Sequence, residues 1–131
     1  VGGPADTDSL RNLHGLLTHL KPTLLTDMDL LSVGCYLQHA KLFIGHDSGL
    51  SHLATRFGVP SVLLFGPTDP DTWAPRGRHV TIMRNSCHCV GKEVMNQCRD
   101  RPCLSIPLTE VMAKAEEQLG GMKASPCLGL I

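Results

Sequence analysis

Hydrophobic residues recur along the chain in two patterns, one with helical spacing and one of short continuous runs. Helical spacing predicts a helix that Asp6 and Asp8 can cap and that ends before Pro22, followed by helices over residues 30–40, 50–57 and 107–119. The short apolar runs predict strands at residues 23–26, 42–44, 61–65 and 79–83. The predicted apolar positions of the first and last helices are Leu10, Leu13, Leu17, Leu20, Leu108, Val111, Met112, Ala115 and Leu119.

The order of these elements predicts an α/β fold. Strands that alternate with helices require crossover connections, which are right-handed and produce a parallel sheet. We therefore expect a Rossmann-like parallel sheet with helices on both faces. A single domain over residues 1–121, followed by a tail at residues 122–131, accounts for the chain length of 131 residues. Within that domain, residues 66–77 predict a Pro/Gly-rich loop and residues 85–105 an irregular cysteine-rich segment.

Composition and charge narrow the classes of function. Twelve basic residues balance twelve acidic ones, so no overall positive field favours nucleic acid, and we expect no nucleic-acid partner. The sequence has neither a run of about 18 apolar residues nor a signal peptide at its start, which predicts a cytoplasmic protein. The chain opens on Val1, without Met, before a Gly-Gly-Pro turn, and this predicts a domain truncated at its N-terminus.

Two loops follow predicted strands at the edge where open parallel sheets bind ligands. The first, residues 45–52, reads GHDSGLSH and leads into a helix N-terminus, where free amides and the helix dipole favour a phosphate group. Ser48, Gly49 and Leu50 are the candidate amide donors, and the glycine lets a bulky phosphate approach the backbone. His52, one turn into the helix, can add a donor or a positive charge.

Asp47 is the acidic residue of this loop. Because a carboxylate repels phosphate, its expected roles are to fix the loop, to bind ribose or sugar hydroxyls, or to pair with a cation. The second loop, residues 65–70, reads FGPTDP and has a rigid turn with Thr68 and Asp69 at its tip. Each loop also has a simpler explanation: Asp47 or Ser48 as a helix cap, and residues 65–70 as a surface turn.

Three stretches taken together, FIGHDSGLSHLA at residues 43–54, GVPSV at 58–62 and LFGPTDP at 64–70, resemble the ADP-heptose:lipopolysaccharide heptosyltransferase family. That family is known for an Asp-Ser/Thr-Gly-x-x-His-Leu-Ala stretch and a Phe-Gly-Pro-Thr-x-Pro stretch at this separation. The resemblance runs from Gly2 to about Leu119 and covers half of the family's protein. It implies the C-terminal, donor-binding half of a GT-B fold, in which two Rossmann-like domains face a cleft.

The resemblance implies transfer of heptose or a related sugar, with inversion, from an ADP-sugar to an acceptor of the lipopolysaccharide-core type, with no metal or other cofactor. It also implies that the glycolipid acceptor and the general base belong to an N-terminal domain that this sequence lacks, so the chain alone is expected to be inactive. The full protein is expected in the cytoplasm, with peripheral association at the inner face of the inner membrane left open. The donor-binding residues implied by matching position are Asp47, Ser48, Gly49, Leu50 and His52 at the diphosphate and sugar, Met28 against adenine, Asp6 or Asp8 at ribose, and Thr68 from the second loop.

Two alternative functions remain open, and so does the chemical state of one cysteine cluster. The chain can instead be a non-catalytic Rossmann-like module that binds a nucleotide or a partner, or belong to a GT-B enzyme that uses a UDP-sugar. The cluster consists of four cysteines whose spacing is not that of a standard zinc finger: Cys87, Cys89, Cys98 and Cys103. A structural metal site, a disulfide, and thiols without either are the three alternatives, and we favour the last.

Overall fold

The computed structural model describes residues 1–17, 19–20, 22–87 and 97–120, and the chain divides into two compact units, Val1–Tyr36 and Leu37–Ile131. The first unit starts with a 3-10 helix at Pro4–Asp6 that continues into α1, Thr7–Leu16. α1 ends earlier than the leucine spacing predicts. Leu13 and Leu20 are exposed, so the predicted apolar face of this helix is not a buried stripe.

The acidic residues at the start of α1 do not cap it with their side chains, contrary to the prediction. Asp6 occupies the N-cap position, but its Oδ2 accepts a hydrogen bond from the Gly3 amide at 2.9 Å instead. Asp8 forms an exposed ion pair with Arg11 at 3.0 Å. Residues 23–26 were predicted to form a strand. In the structure, this segment contributes only one parallel bridge, between Thr26 and Gly2.

α2 covers Leu30–Leu37 and begins at a side-chain cap formed by Asp29. The Asp29 carboxylate accepts hydrogen bonds from the Ser32 amide at 3.0 Å and from the Ser32 hydroxyl at 2.6 Å. These bonds favour the charged carboxylate, and the hydroxyl of Ser32 is the main reason why the pKa of Asp29 lies below its ordinary value of 3.8. The helix therefore depends on an ionised side chain at its first turn.

Asp29→Ala is expected to lower the melting temperature at neutral pH, whereas Asp29→Asn, which keeps a capping side chain, is expected to lower it less. Because the pKa of Asp29 is lowered in the folded protein, its ionic contribution is present above pH 3.8 and is lost as the pH falls through the folded-state value. Thermal melts followed by circular dichroism at pH 7 and pH 3 check this. An equal difference between native and Ala proteins at both pH values would contradict it.

The second unit contains a parallel sheet. Its strands are β1, Phe43–His46; β2, Ser61–Phe65; and β3, Val80–Arg84, and within the described residues the sheet has three strands in the order β1-β2-β3. Phe43 lies opposite Ser61, which in turn lies opposite Val80. The described helices of this unit include α3, Gly49–Arg56; α4, Pro70–Trp73; α5, Leu108–Gly120; and a 3-10 helix at Pro102–Leu104. The predicted α/β class with a parallel sheet is confirmed.

β2 is the centre of the core. Val62, Leu63 and Phe65 have 0% of their surface exposed, which is what a continuous apolar run between two neighbouring strands predicts. α3 and α5 both contact β2. α5 buries only Val111 and Ala115, one turn apart, whereas the other predicted positions of its apolar face are exposed: Leu108, Met112 and Leu119. The predicted apolar face was too wide: the buried stripe consists of Val111 and Ala115, and the next contact with the sheet is polar, a hydrogen bond of 2.7 Å from Gln118 Nε2 to Thr81 Oγ1.

The loop after β2 contains the short helix α4, which was not among the predicted elements. Asp69 caps it, accepting hydrogen bonds from the Asp71 amide at 3.2 Å and from the Thr72 hydroxyl at 2.9 Å. Pro70 stands at the first helical position, where its missing N–H has no cost. An Asp-Pro pair is therefore the signal that could have predicted this turn of helix. Across the described part of the chain, none of the helices combines the length and the apolar character needed to span a membrane.

Candidate functional site

The two loops singled out in the sequence leave the same edge of the sheet. β1 and β2 are parallel, and His46, the last residue of β1, lies opposite Leu64, the second-last residue of β2. The loop after β1 therefore enters α3 at the edge where the loop after β2 enters α4. A hydrogen bond joins the two connections further on, since His52 Nε2 lies 3.1 Å from the Trp73 carbonyl oxygen.

The N-terminus of α3 has no side-chain cap. Ser48 stands at the N-cap position with an extended backbone, φ −159° and ψ 163°, and its hydroxyl makes no capping hydrogen bond. Among the hydrogen bonds of the described residues, none has the amide of Gly49 or Leu50 as its donor. These are the amides that helix geometry leaves without an internal acceptor. Ser48 is therefore the N-cap residue, as the simpler explanation predicted, but its side chain makes no capping hydrogen bond, and the amides of Gly49 and Leu50 are left unpaired.

The position that a side chain would take at Gly49 is open. A Cβ atom built on Gly49 would meet no heavy atom of the described residues within 4 Å, so the glycine is not there to relieve crowding. Asp47 is half-buried, and its carboxylate has no hydrogen-bond or ion-pair partner in the part of the chain that the structure describes. The loop thus offers an uncommitted carboxylate, two unpaired amides and room for a ligand at Asp47, Gly49 and Leu50.

Ser51 positions this loop, a role that its place in the motif did not predict. The side chain is fully buried, its Oγ donates a hydrogen bond to the His46 carbonyl oxygen, and its amide donates to the Ser48 carbonyl oxygen at 3.1 Å. The first turn of α3 is therefore tied to the last residue of β1. The signal in the sequence was a serine three residues before Ala54, on the face of α3 that the structure buries.

Ser51→Ala is expected to reduce the free energy of unfolding by about 1 kcal/mol, because it removes a buried hydrogen bond and leaves the His46 carbonyl without its partner. Urea denaturation of the native chain and the variant measures this. Ser86→Ala, which removes an exposed hydroxyl, is the control and is expected to change stability by less than about 0.5 kcal/mol. Equal effects of the two substitutions would contradict the role assigned to Ser51.

The hydrogen bond of His52 restricts what its ring can offer a ligand. A carbonyl oxygen only accepts, so Nε2 carries the proton and donates to Trp73. The remaining nitrogen, Nδ1, donates only when the ring is protonated.

In the second loop, Thr68 is half-buried and has no hydrogen-bond partner among the described residues, whereas the Asp69 carboxylate is used as the cap of α4. Of the two residues predicted at that tip, Thr68 alone keeps an available side chain.

The other predicted donor contacts belong to the first unit. One carboxylate oxygen of Asp6 accepts the Gly3 amide, and Asp8 is paired with Arg11. Met28 is half-buried. The assignments of Asp6 or Asp8 to ribose and of Met28 to adenine stay predictions.

The cysteine cluster is described in part, because Cys89 lies outside the described residues. Cys103 is 2% exposed; burial raises the pKa of its thiol, and the neighbouring Cys87 raises it further through a hydrogen bond. Cys87, Cys98 and Cys103 carry thiols and no disulfide joins them. Within residues 1–17, 19–20, 22–87 and 97–120, no three His, Cys, Asp or Glu side chains are arranged to hold a metal ion. The four-cysteine metal site stays an untested alternative to the favoured prediction of thiols without metal or disulfide.

Comparison with known proteins assigns the chain to a family. The family model described as glycosyltransferase family 9 (heptosyltransferase) matches residues 1–103. Lipopolysaccharide heptosyltransferase 3 of Escherichia coli is 44% identical over 43 residues, which are 33% of this chain and 13% of that protein. Lipopolysaccharide heptosyltransferase 1 of Escherichia coli strain K12 is 29% identical over 83 residues, which are 63% of this chain and 25% of that protein.

A solved structure supports the same assignment. The crystal structure of the glycosyl transferase family 9 from Veillonella parvula DSM 2008 matches with a TM-score of 0.81 and 25% identity, over 92% of this chain and 36% of that chain. The present chain thus spans only about a third, or less, of the length of these relatives. With a family match across most of its residues, a matching fold and both characteristic loops at one edge of the sheet, the chain belongs to glycosyltransferase family 9, the heptosyltransferase family.

Proposed function

We propose that this chain binds the diphosphate of an ADP-sugar at the N-terminus of α3, as the donor-binding part of an inverting glycosyltransferase. The observation that carries the proposal is the pair of unpaired amides at Gly49 and Leu50, where the side-chain position of Gly49 is also open. Phosphate oxygens accept hydrogen bonds from such amides, and the positive end of the helix dipole favours their negative charge. The hydroxyl of Ser48 lies beside these amides but donates to Ser51 Oγ at 3.4 Å, because the Ser51 hydroxyl itself donates to the His46 carbonyl oxygen.

The neighbouring side chains supply the contacts that a sugar needs. The Asp47 carboxylate is an acceptor for hydroxyl groups of the transferred sugar or the ribose, a role that suits its lack of a partner among the described residues. Protonated His52 donates from Nδ1 to a phosphate oxygen while Nε2 holds the Trp73 carbonyl. In this way, the same imidazole ring contacts the donor and holds α3 to the end of α4.

The proposed reaction is transfer of heptose, or a related sugar, to an acceptor of the lipopolysaccharide-core type. An acceptor hydroxyl oxygen attacks the anomeric carbon, the bond from that carbon to the diphosphate oxygen breaks, and ADP leaves with the electron pair. The negative charge that grows on the diphosphate is stabilised by the amides of Gly49 and Leu50. The acceptor site and the base that takes the hydroxyl proton are expected in the part of such an enzyme that this chain does not span. The chain alone should therefore bind donor without transferring sugar.

Calorimetric titration of the 131-residue chain with ADP and with UDP tests the proposal. We expect saturable binding of ADP, stronger than that of UDP. His52→Ala is expected to weaken ADP binding about tenfold, and Asp47→Ala to do the same through the ribose hydroxyls, which ADP shares with the ADP-sugar, since a hydrogen bond to a charged group contributes about 1.5–3 kcal/mol and 1.4 kcal/mol is a factor of ten. Asp100→Ala and His79→Ala, which replace exposed residues of the same types outside the two loops, are the matched controls.

Each other outcome has a definite meaning. Preference for UDP would support a UDP-sugar as donor and contradict the adenine nucleotide. Absence of nucleotide binding by a chain that circular dichroism shows to be folded would contradict the donor site and favour a partner-binding module. Equal losses in the loop variants and the controls would also contradict the site, because a general effect on folding would then explain them.

A further inference from the structure

A polar groove of about 330 Å³ lies beside the later turns of α3, away from its N-terminus. The side chains that line it come from α3 and from the segment after α4: His52, Thr55, Arg56, Pro75 and Arg76. We call it the arginine groove. Its two walls are joined near one end by the hydrogen bond from His52 to the Trp73 carbonyl. Near the other end they are close because Gly77 has no side chain; a Cβ there would lie 2.8 Å from Thr55 Cγ2.

The positive charges of the groove have no ion-pair partner among the described residues. Arg56 and Arg76 are both exposed. Over this part of the chain, the side-chain ion pairs are those of Arg11 with Asp8 and of Lys114 with Glu117, and neither involves an arginine of the groove. Two guanidinium groups therefore line one groove without a described carboxylate to neutralise them. A pair of like charges in one groove is an arrangement that an anion stabilises.

The hydroxyl group of Thr55 is a second, independent observation. Its Oγ1 is fully buried and has no hydrogen-bond partner in the described part of the chain. A threonine within a helix commonly donates to the carbonyl four residues before it, and Thr55 does not. A buried hydroxyl without a partner costs stability. Because this oxygen has no surface open to the groove, the Thr55 side chain must rotate about χ1 before a ligand can accept a hydrogen bond from the hydroxyl, and that bond would remove the cost.

We propose that the arginine groove binds a phosphate group at Arg56 and Arg76, and that this group is distinct from the donor diphosphate at Gly49 and Leu50, although His52 borders both. The planar guanidinium forks of Arg56 and Arg76 each donate two parallel hydrogen bonds to phosphate oxygens, and the Thr55 hydroxyl supplies a further donor once its side chain has rotated toward the groove. Thr55 is six residues beyond Gly49, which places it about 9 Å farther along the helix axis. That separation is too large for one phosphate group to use both sets of donors. The phosphate belongs to a free anion or to a phosphorylated sugar.

Titration of the ¹⁵N-labelled chain with inorganic phosphate, at constant ionic strength balanced with chloride, tests the site by NMR. We expect saturable shifts of the amides of Thr55, Arg56 and Arg76, with a dissociation constant on the order of 1 mM. Replacing both arginines (Arg56→Gln with Arg76→Gln) should weaken binding at least about tenfold. The control removes the same charge at two exposed positions, Arg78→Gln with Arg99→Gln, and should weaken it less than about twofold.

Thr55→Val separates a binding role from a structural one. The substitution keeps the shape of the side chain and removes the unpaired hydroxyl, so the melting temperature without phosphate should stay the same or rise while phosphate binding weakens. A parallel titration with glucose 6-phosphate distinguishes the two sources: tighter binding than inorganic phosphate identifies a phosphorylated sugar, and weaker binding identifies the free anion. Either result supports the site.

A failure of the arginine-groove proposal can be distinguished from a failure of the proposed donor site. Asp47→Ala should lose ADP affinity and keep the phosphate-dependent shifts at Thr55 and Arg56, whereas the double arginine substitution should do the reverse. Absence of saturable shifts at these residues in the native chain would overturn the proposal. So would equal phosphate affinity in the double arginine substitution and its control.

Discussion

Replacing Gly49 with alanine is expected to lower the affinity of the chain for ADP at least about tenfold while leaving the folded state intact. The added methyl group meets no described atom within 4 Å, and the backbone of Gly49 is outside the positive-φ region that favours glycine, so neither a clash nor strain opposes it. Alanine also has the higher helix propensity, and the free energy of unfolding should stay unchanged or rise by up to about 1 kcal/mol. The methyl group instead hinders the close approach of the proposed phosphate to the backbone.

Gly120→Ala is the matched control, because a Cβ on Gly120 also meets nothing within 4 Å in the described part of the chain, and this residue ends α5, away from the two loops. Calorimetry with ADP and urea denaturation of both variants give the two quantities. A loss of affinity at Gly49 alone, without a loss of stability, identifies a ligand as the reason for the glycine. Undiminished ADP binding by Gly49→Ala would contradict the placement of the diphosphate at these amides.

Replacing Phe65 with alanine is expected to reduce the free energy of unfolding by about 3–5 kcal/mol. Phe65 ends the central strand β2, has 0% of its surface exposed, and is the largest fully buried side chain among the described residues. Its removal leaves a cavity between elements that cannot close fully, so the lost contacts add to the lost transfer free energy. Since domains are stable by only about 5–15 kcal/mol, this single change removes a large share of the total.

Urea denaturation measures this effect, and Phe57→Ala provides the comparison. Phe57 follows α3 and is 45% exposed, so the same truncation there should cost less than about 1 kcal/mol. If Phe65→Ala does not fold, Phe65→Leu removes less volume and keeps the transition measurable. Similar losses for the substitutions at positions 57 and 65 would contradict the description of β2 as the centre of the core.

Residue type and spacing along the chain were sufficient to predict the parallel sheet and the place of the candidate site. The run at residues 61–65 became β2 at its predicted bounds, and the other two strands of the sheet were shifted by only one or two residues, since a continuous apolar run has few stable alternatives to a buried strand. The two loop motifs were also sufficient to indicate the family. These properties depend on residue type and spacing within short stretches of the sequence.

Two other properties depended on tertiary contacts: how many apolar positions of a helix are buried, and which polar side chains form hydrogen bonds within the protein. Helical spacing predicted five apolar positions for α5, but two of them are buried, because contact width depends on how closely two elements approach. The role of Ser51, the Trp73 carbonyl that accepts from His52, and the shared groove of Arg56 and Arg76 likewise bring together residues from separate elements. Hydrogen bonds and charge pairs of this kind depend on distances in space, which spacing along the chain does not contain.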